Sequence, residues 1–481
     1  MSRSDRFMGR GLVAAVALLG VLALGTPQAQ AAATIVINNI NAAGVGFNDP
    51  TPAAPVGGNT GTTLGEQRLI AFTYAANTWG ATLTSSVPIV VNAQMTALTC
   101  TATAAVLGSA GATAIFRDWS GVPKAGTWYS YALANKLAGT YQGTLNAAQI
   151  SANFNVNLGN VGCLTGTFWY LGLDNNHGSN VDFVTVLLHE LGHGVGFQTF
   201  TNGSTGAQQS GLPSIWDWYL YGATAGKLWK DMTNAERAAS ALSVNGLVWA
   251  GANVTNAIPS VLRPSTAALV IGGSAAGSAA GQYSVGEASF GPALSLIPVV
   301  GQVAQVVEQT GGAGAGCEAF NANNTAAVGG KIAIIDRGVC GFTVKVKNAQ
   351  NAGAIGVIIA DNAAGAPPPG LGGTDATITI PAVRITQVDG NVIKLKLATR
   401  SRSLVMTASI GLLSGQYAGA DLLGRGLLYA PNPFIAGSSV SHFDVSMFPN
   451  QLMEPSINGD LTHSLMPPQD MTFRLLQDTG W

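Results

Sequence analysis

Residues 189 to 193 have the order His189, Glu190, Leu191, Gly192 and His193, which separates two imidazoles by four positions. On a helix, positions i and i+4 lie on one face, one turn apart, so both imidazoles could bind the same metal ion. This spacing is typical of zinc sites in which the glutamate between the histidines acts as a base. The pattern therefore predicts that His189 and His193 bind Zn²⁺, and that Glu190 removes a proton from an attacking water.

The residues around this motif predict the helix that must carry it. Either Ser179 or Asn180 could cap its start, and Asp182 in the first turn would suit the helix dipole. Gly194 and Gly196 would end the helix. The apolar side chains of one face are those of Val184, Leu187, Leu188 and Leu191. A core helix that carries two histidines by chance is the alternative, but buried His and Glu side chains seldom lie together without a partner.

A catalytic zinc site needs a third protein ligand, and the chain has five histidines in all. The three outside the motif are His177, His442 and His463. His177 lies in a polar loop, and His463 could lie in a loop or orient a ligand. Glu236 would be the third ligand of a site with two histidines and one glutamate. Spacing along the chain does not choose among these four residues.

The motif and the C-terminal region resemble one branch of the metzincin peptidases. Residues 189–196 resemble the start of the metzincin pattern H-E-x-x-H-x-x-G-x-x-H, whose last position is Thr199 in this chain. Residues 441–443 and 450–453 resemble the S-H-W segment and the N-x-L-M Met-turn of leishmanolysin-like metzincins, with Phe443 in place of the Trp. In that branch the third histidine follows an insertion. Residues 473–481 are similar to the closing helix and its D-x-G-aromatic ending.

This resemblance implies a function and a set of site residues. His442 would be the third zinc ligand, and Met453 would form the hydrophobic floor beneath the metal. The chain would be a secreted zinc endopeptidase that hydrolyses peptide bonds with Glu190 as general base. Its fold would be α+β, a metzincin-like zincin catalytic domain with a twisted sheet, an active-site helix and a Met-turn. The partner would be a peptide or protein substrate.

The region between the motif and His442 resembles a protease-associated (PA) domain. Buried strands are predicted at residues 330–338, 354–361 and 378–385, and helices at 342–353 and 389–397. The resemblance implies an α/β module that has no catalytic group and gates or extends substrate binding. The matching residues are Asp336, Arg337, Gly338, Cys340, Phe342, Lys345, Lys347, Asn348, Ala349, Ala352, Gly353, Ala354, Gly356, Val357, Ile380 and Pro381.

These observations predict how the chain is divided. A signal peptide would occupy residues 1–31, the N-terminal part of the catalytic domain 32–279, the inserted PA domain 280–402 and the C-terminal part of the catalytic domain 403–481. The Gly-rich residues 272–281 would be a linker, and residues 404–418 would return to the catalytic domain. Before the motif, we expect a helix at 65–79 and strands at 34–37, 87–95 and 150–157. The last strand is either a cleft edge that pairs with substrate or an ordinary internal strand.

The N-terminus and the cysteines predict export. Arg3, Arg6 and Arg10 precede an apolar run at 12–24 that is short for a membrane span, and a small-x-small cleavage site lies at 29–31. An uncleaved anchor is the alternative. The four cysteines have no C-x-x-C spacing and indicate two disulfides. Three pairings are possible, and proximity favours Cys317 with Cys340 and Cys100 with Cys163.

Composition excludes some partners. Charged residues make up 9% of the chain and the formal net charge is −1, so neither nucleic acid nor an acidic membrane surface is expected to bind. No stable membrane insertion is expected after signal cleavage. Three other functions stay open: a non-catalytic exported binding protein that uses the PA domain as its surface, a hydrolase of non-peptide amides, and a structural zinc protein. The last would need a fourth ligand.

Overall fold

The computed structural model describes residues 32–307, 314–401 and 403–481. The predicted signal peptide at residues 1–31 lies outside the described residues. Within these ranges the helices are α1 (Leu64–Thr82), α2 (Tyr131–Ala138), α3 (Phe183–Val195), α4 (Asn234–Ser240), α5 (Ala252–Val261), α6 (Ala322–Val328), α7 (Phe342–Asn351), α8 (Gln387–Thr399) and α9 (Thr472–Thr479).

The strands of the described residues form one sheet of eight strands, two sheets of four strands and three short pairs. In chain order they are β1 (Ile35–Asn39), β2 (Ile89–Thr96), β3 (Cys100–Thr101), β4 (Ala104–Ala105), β5 (Gly108–Ala112), β6 (Ile115–Phe116), β7 (Tyr129–Ser130), β8 (Ile150–Asn155), β9 (Trp169–Tyr170), β10 (Val181–Asp182), β11 (Leu220–Gly222), β12 (Lys227–Leu228), β13 (Leu247–Trp249), β14 (Ser265–Gly272), β15 (Gly281–Ser284), β16 (Gly286–Glu287), β17 (Val299–Gln305), β18 (Ile332–Asp336), β19 (Gly356–Ala360), β20 (Ala382–Ile385), β21 (Thr407–Ser414) and β22 (Gly426–Leu427).

The first sheet has the order β1-β2-β8-β5 and carries the helix with the zinc motif. β1, β2 and β8 are parallel, and β5 runs antiparallel to β8 at the edge. Every second residue of β2 is buried, so one face of the sheet meets the core, as period-2 alternation requires. α1 packs beside β1, and α3 packs across β5 and β8.

The strand predicted at residues 150–157 is β8, and it is internal rather than an edge. It lies between β2 and β5, so its backbone cannot pair with a substrate. The edge strands of this sheet are β1 and β5, and the sequence patterns predict no strand at β5. The residues of β5 are Gly108, Ser109, Ala110, Gly111 and Ala112, and small side chains of this kind carry no alternation of large apolar and polar residues.

The second sheet has eight strands in the order β15-β14-β21-β17-β18-β19-β20-β16. The run β17 to β20 is parallel, and the other pairings are antiparallel. β19 is buried along its whole length, as expected for a parallel strand covered on both faces. Separate apolar clusters lie on the two faces of this sheet.

The eight-stranded sheet extends beyond the predicted boundaries at 280 and 402. β14 precedes the first boundary and β21 follows the second, yet the two strands pair along their full length. The segment 404–418, predicted to return to the catalytic domain, contains β21, which pairs with β14 on one side and with β17 on the other. The Gly-rich segment 272–281 is also not a free linker, because Ala275, Ala276 and Ala279 are buried in the core on one face of the sheet. Strands so far apart in sequence are brought together only by folding.

A third sheet, in the order β12-β11-β13-β22, joins the chain before the eight-stranded sheet to the chain after it. β13 pairs with β22, and Leu428 just after β22 forms a bridge with Phe443. A single large apolar cluster includes residues from 33 to 262 and from 420 to 481. We call this body the α3 unit, and we call residues 265–414 the eight-stranded unit.

Disulfides join Cys100 to Cys163 in the α3 unit and Cys317 to Cys340 in the eight-stranded unit, which is the pairing favoured by proximity. Two disulfides fit a protein that resides outside the reducing cytoplasm. Within the described ranges, no helix has both the length and the apolar character needed to cross a bilayer.

Candidate metal centre

Both motif histidines lie on α3, and both are buried. Asp182, and not Ser179 or Asn180, caps it, since its side chain accepts a hydrogen bond from the backbone N–H of Thr185 at 2.8 Å. The helix ends at Val195, and Gly196 has a φ of 126° there. That φ favours glycine, as the sequence suggested. All thirteen helical residues are buried, so the motif is held by packing on both sides.

The Nε2 atoms of three histidines converge on one point. His189 and His193 are 3.2 Å apart, His193 and His442 are 3.1 Å apart, and His442 and His189 are 3.3 Å apart, each measured between Nε2 atoms. Tetrahedral zinc with ordinary Zn–N bonds separates its ligand nitrogens by about 3.3 Å. The spacing therefore fits one zinc ion, and within the described ranges this is the one group of three such side chains close enough to share a metal.

The second ring nitrogen of each histidine is held by a backbone carbonyl. His189 Nδ1 donates to Leu452 O at 2.7 Å, His193 Nδ1 to Phe197 O at 2.8 Å, and His442 Nδ1 to Ser438 O at 2.7 Å. With the proton on Nδ1, each Nε2 lone pair faces the common centre, which is the arrangement typical of metal-binding histidines.

Burial also keeps these rings uncharged. It lowers the pKa of His189 to about 4 and that of His193 to about 3, with the neighbouring His189 adding to the effect on His193. Burial and the two neighbouring histidines lower the pKa of His442 as well. At neutral pH the three imidazoles are therefore neutral, which is the form that binds metal.

Glu190 follows His189 directly on α3, and its side chain faces the edge strand β5. Its side chain is 7% exposed and accepts a hydrogen bond from the backbone N–H of Ala110. Burial raises the pKa of Glu190 to about 8, so this carboxyl can take up a proton near neutral pH. A Cβ at Gly108 would lie 2.9 Å from Cγ of Glu190, so a glycine is needed there for β5 to approach the carboxylate.

The segment that contains Leu452 and Met453 packs against the histidine triangle and α3. Leu452, whose carbonyl accepts from His189, donates its own N–H to Asp470 Oδ2 at 2.6 Å. Met453 is fully buried, and a Cβ at Gly192 would lie 2.7 Å from its Sδ, so the thioether packs against α3 between the two motif histidines. The sequence reasoning missed Asp470. Its position just before α9 resembles a cap and gave no reason to connect it with His189.

Thr199 stands where the metzincin pattern has its last histidine, and it holds the segment that carries His442. The Thr199 N–H donates to Ser441 Oγ at 3.2 Å. The Thr199 hydroxyl donates to the buried carboxylate of Asp217 at 3.1 Å. The residue that departs from the pattern is thus a tether for the distant histidine that completes the triangle.

The other three candidates for the third ligand, His177, His463 and Glu236, lie outside the metal centre. His177 Nδ1 bonds to the carbonyl of Asn180 at 2.8 Å. His463 Nε2 is 3.2 Å from the carboxylate of Asp182, at the other end of α3. Glu236 binds Lys227 at 2.7 Å and completes the capping box of α4. None of these three side chains belongs to the histidine group.

Comparison with known proteins identifies one module. The PA domain family matches residues 299–393, so the chain contains a PA domain inside the eight-stranded unit. Vacuolar-sorting receptor 5 from Arabidopsis thaliana is 50% identical over 48 residues, which are 10% of this chain and 8% of that protein.

Among solved structures, the aminopeptidase from Aneurinibacillus sp. strain AM-1 is 28% identical over 31% of each chain, with a TM-score of 0.24. BSAP, a zinc aminopeptidase from Bacillus subtilis, is 21% identical over 34% of this chain and 36% of that chain, with a TM-score of 0.23. The subtilisin-like protease Apa1 from Pseudoalteromonas sp. AS-11 is 20% identical over 33% and 35%, with a TM-score of 0.23. These matches span about a third of each protein, at TM-scores too low to argue for a shared overall fold, and none of the three is a leishmanolysin-like peptidase.

Proposed function

We propose that this chain is a zinc-dependent endopeptidase of the leishmanolysin-like metzincin type. The observation that carries the proposal is the triangle of Nε2 atoms, 3.1–3.3 Å on a side, beside a buried glutamate. His189, His193 and His442 would hold the zinc and leave one position open, as catalytic sites require. In this proposal the α3 unit is the metzincin-like catalytic domain, Met453 is its Met-turn methionine, and the eight-stranded unit at 265–414 is the insertion.

A bound zinc ion would lower the pKa of a coordinated water and polarise a substrate carbonyl. Glu190, whose side chain accepts from the backbone N–H of Ala110, would remove the proton from the attacking water and pass it to the leaving amine. The carbonyl partners of the three Nδ1 atoms fix the orientation of the rings, so the proton transfer occurs in a preformed geometry.

The peptide substrate would add as a strand to the outer side of β5. β5 is the edge of the first sheet, and Ala110 on this strand donates its N–H to Glu190. An edge strand offers backbone groups that pair with an extended peptide. A peptide held there would have its backbone beside the general base, which is the placement that hydrolysis requires.

The test is a comparison of the full chain with Glu190→Gln. Both proteins should hold one zinc per chain by elemental analysis, because the glutamate is not a ligand. Casein cleavage should fall by about a thousandfold in the variant, since a positioned general base contributes roughly 10²–10⁴-fold. Glu236→Gln is the matched control, because glutamine also completes a capping box.

Cleavage of casein by Glu190→Gln at the rate of the unchanged chain would refute the assignment of the base. A chain that holds zinc but cleaves no protein would instead be the non-catalytic binding protein. A chain that holds no zinc would end the metallopeptidase proposal.

A further inference from the structure

A cleft of about 920 Å³ lies between the eight-stranded unit and the C-terminal part of the α3 unit. One wall consists of β15, β16 and the proline-rich loop at 367–372, and the other contains residues from 445–460. The three histidines do not line it. Its volume is in the range of pockets that bind ligands, so the cleft is large enough to hold several residues of a peptide.

Among the described residues that line the cleft, the charged side chains are all acidic. Its acidic residues are Glu287, Asp421, Glu454 and Asp460, and the described residues that line it include no Lys, Arg or His. Glu287 and Asp421 have arginine partners behind the wall, at 2.7 Å in both cases. Glu454 is buried, and burial raises its pKa well above the usual value, so the negative charge of the cleft rests mainly with Asp460.

Asp460 is the acidic residue of the cleft that is most available to a ligand. It is exposed, and its carboxylate accepts a hydrogen bond from the side-chain amide of Asn450 at 2.6 Å. No cationic side chain of the described residues forms an ion pair with it. A carboxylate in this position can pair with an incoming ammonium or guanidinium group.

One edge of the cleft is a strand whose outer backbone groups pair with no described strand. β15 is the outer strand of the eight-stranded sheet, and no described strand pairs with its outer side. Gln282 and Ser284 of this strand both line the cleft. An extended peptide can pair with such an edge through its main chain, while its side chains reach the opposite wall.

The wall of the cleft is shared with the metal centre. Ser438 lines the cleft, and its carbonyl accepts the hydrogen bond from His442 Nδ1 at 2.7 Å. Glu454 also lines the cleft and follows Met453 directly in the chain. We propose that the cleft is an exosite that binds a cationic, Lys- or Arg-containing segment of the peptide or protein substrate. This inference rests on the proposed peptidase function.

Binding can be tested without cleavage in the full-length Glu190→Gln chain. The probe is a fluorescein-labelled decapeptide of alternating Lys and Gly, and its comparison peptide has Glu in place of Lys. Fluorescence anisotropy should give tighter binding for the Lys peptide, weakened by added salt. Asp460→Lys, made in the same chain, should weaken it about fivefold, as a change in one partly exposed charge pair would. Asp231→Lys, a charge reversal at an exposed residue outside the cleft, should leave binding unchanged.

Equal binding of the Lys and Glu peptides, or equal binding by the parent and Asp460→Lys chains, would overturn the exosite. Asp460→Asn provides a second variant that preserves the shape of the side chain, and circular dichroism checks that each variant folds.

Cleavage rates of two peptides distinguish a failure of the exosite from a failure of the peptidase proposal. The chain with native Glu190 should cleave a neutral peptide with a Lys-rich extension faster than the same peptide without it, and Asp460→Lys should remove that advantage. Cleavage of both peptides at equal rates would refute the exosite and leave the peptidase intact. Binding of the Lys peptide by a chain that cleaves nothing would refute the peptidase, and with it the assignment of the cleft's ligand as a substrate.

Discussion

Two buried polar clusters, one in each unit, balance their charges in different ways. In the eight-stranded unit, Asp361 accepts hydrogen bonds from Arg384 and from Arg337, both at 2.9 Å. The Asp361 and Arg384 side chains are only 8% and 7% exposed. In the α3 unit, the histidine triangle and Glu190 are equally buried, but no opposite charge of the described residues forms an ion pair with them.

The pKa values reflect this difference. Burial alone would raise the pKa of Asp361, but the hydrogen bonds and charges of the two arginines outweigh it and hold that pKa below its usual value. Around the metal centre, burial outweighs the backbone hydrogen bonds that oppose it, so it raises the pKa of Glu190 and lowers those of His189 and His193. Paired buried charges are typical of structural roles, whereas buried groups with strongly shifted pKa values cluster at functional sites. Lys345 is an exception in the eight-stranded unit, since it is buried and donates to the carbonyl of Ala315.

The largest effect is expected from removing the distant histidine of the triangle. His442→Ala should weaken zinc binding by at least about 100-fold, because loss of a ligand should exceed the 10–100-fold cost of changing its supporting partners. Competition with a chelator of known affinity measures this change. His463→Ala is the control and should keep its zinc. If His442→Ala retained one tightly bound, active zinc, the third ligand would be another residue.

Removing the Asp361 carboxylate from its two arginines should lower the stability of the eight-stranded unit and leave zinc binding unchanged. Asp361→Asn leaves two arginines without their carboxylate, so we expect a loss on the order of 3 kcal/mol in the free energy of unfolding of the eight-stranded unit. Denaturant unfolding measures this loss, with Asp375→Asn as the control, because that side chain accepts only from Thr377. Zinc content should stay at one per folded chain. A loss of zinc in folded Asp361→Asn would mean that the Asp361 cluster also supports the metal centre.

The smallest effect is expected from mild acid. Protons compete with zinc for a histidine only when the pH falls towards the pKa of that histidine, and burial lowers the pKa of His189 to about 4 and that of His193 to about 3. Zinc content should therefore be unchanged between pH 7 and pH 5 and should fall between pH 4 and pH 3. Gel filtration at each pH followed by elemental analysis measures it, and circular dichroism monitors folding. A midpoint of zinc loss near pH 6.5 would mean that the imidazoles are exposed to solvent.

Local patterns in the sequence predicted several elements well. The motif predicted a helix, which is α3, and the apolar runs at 354–361 and 378–385 correspond to β19 and β20. The residues that resemble a PA domain fall in the segment that the family matches. These features depend on neighbours within a few positions along the chain, so helical and strand periodicity is enough to detect them.

Other features could not be predicted from local patterns. β5 has small side chains without alternation, and the cap of α3 is Asp182, three residues beyond the first predicted cap position. The pairing of β14 with β21 joins segments on either side of the PA domain, so the boundaries at 280 and 402 missed both strands. The pairing of β14 with β21 depends on contacts between residues distant in sequence, whereas the Asp182 cap is a local hydrogen bond with Thr185 that the sequence patterns did not single out.

The sequence by itself determined that two imidazoles share one face of a helix, because a spacing of four residues is about one turn, and that a carboxylate lies between them in the chain. It also determined the PA module, whose residues are contiguous. Only the tertiary structure decided which remaining histidine closes the triangle, since His442 reaches α3 through the pairing of β13 with β22 and the tether from Thr199. It likewise decided the pKa of Glu190, because burial of that carboxyl against β5 arises only when distant segments pack together.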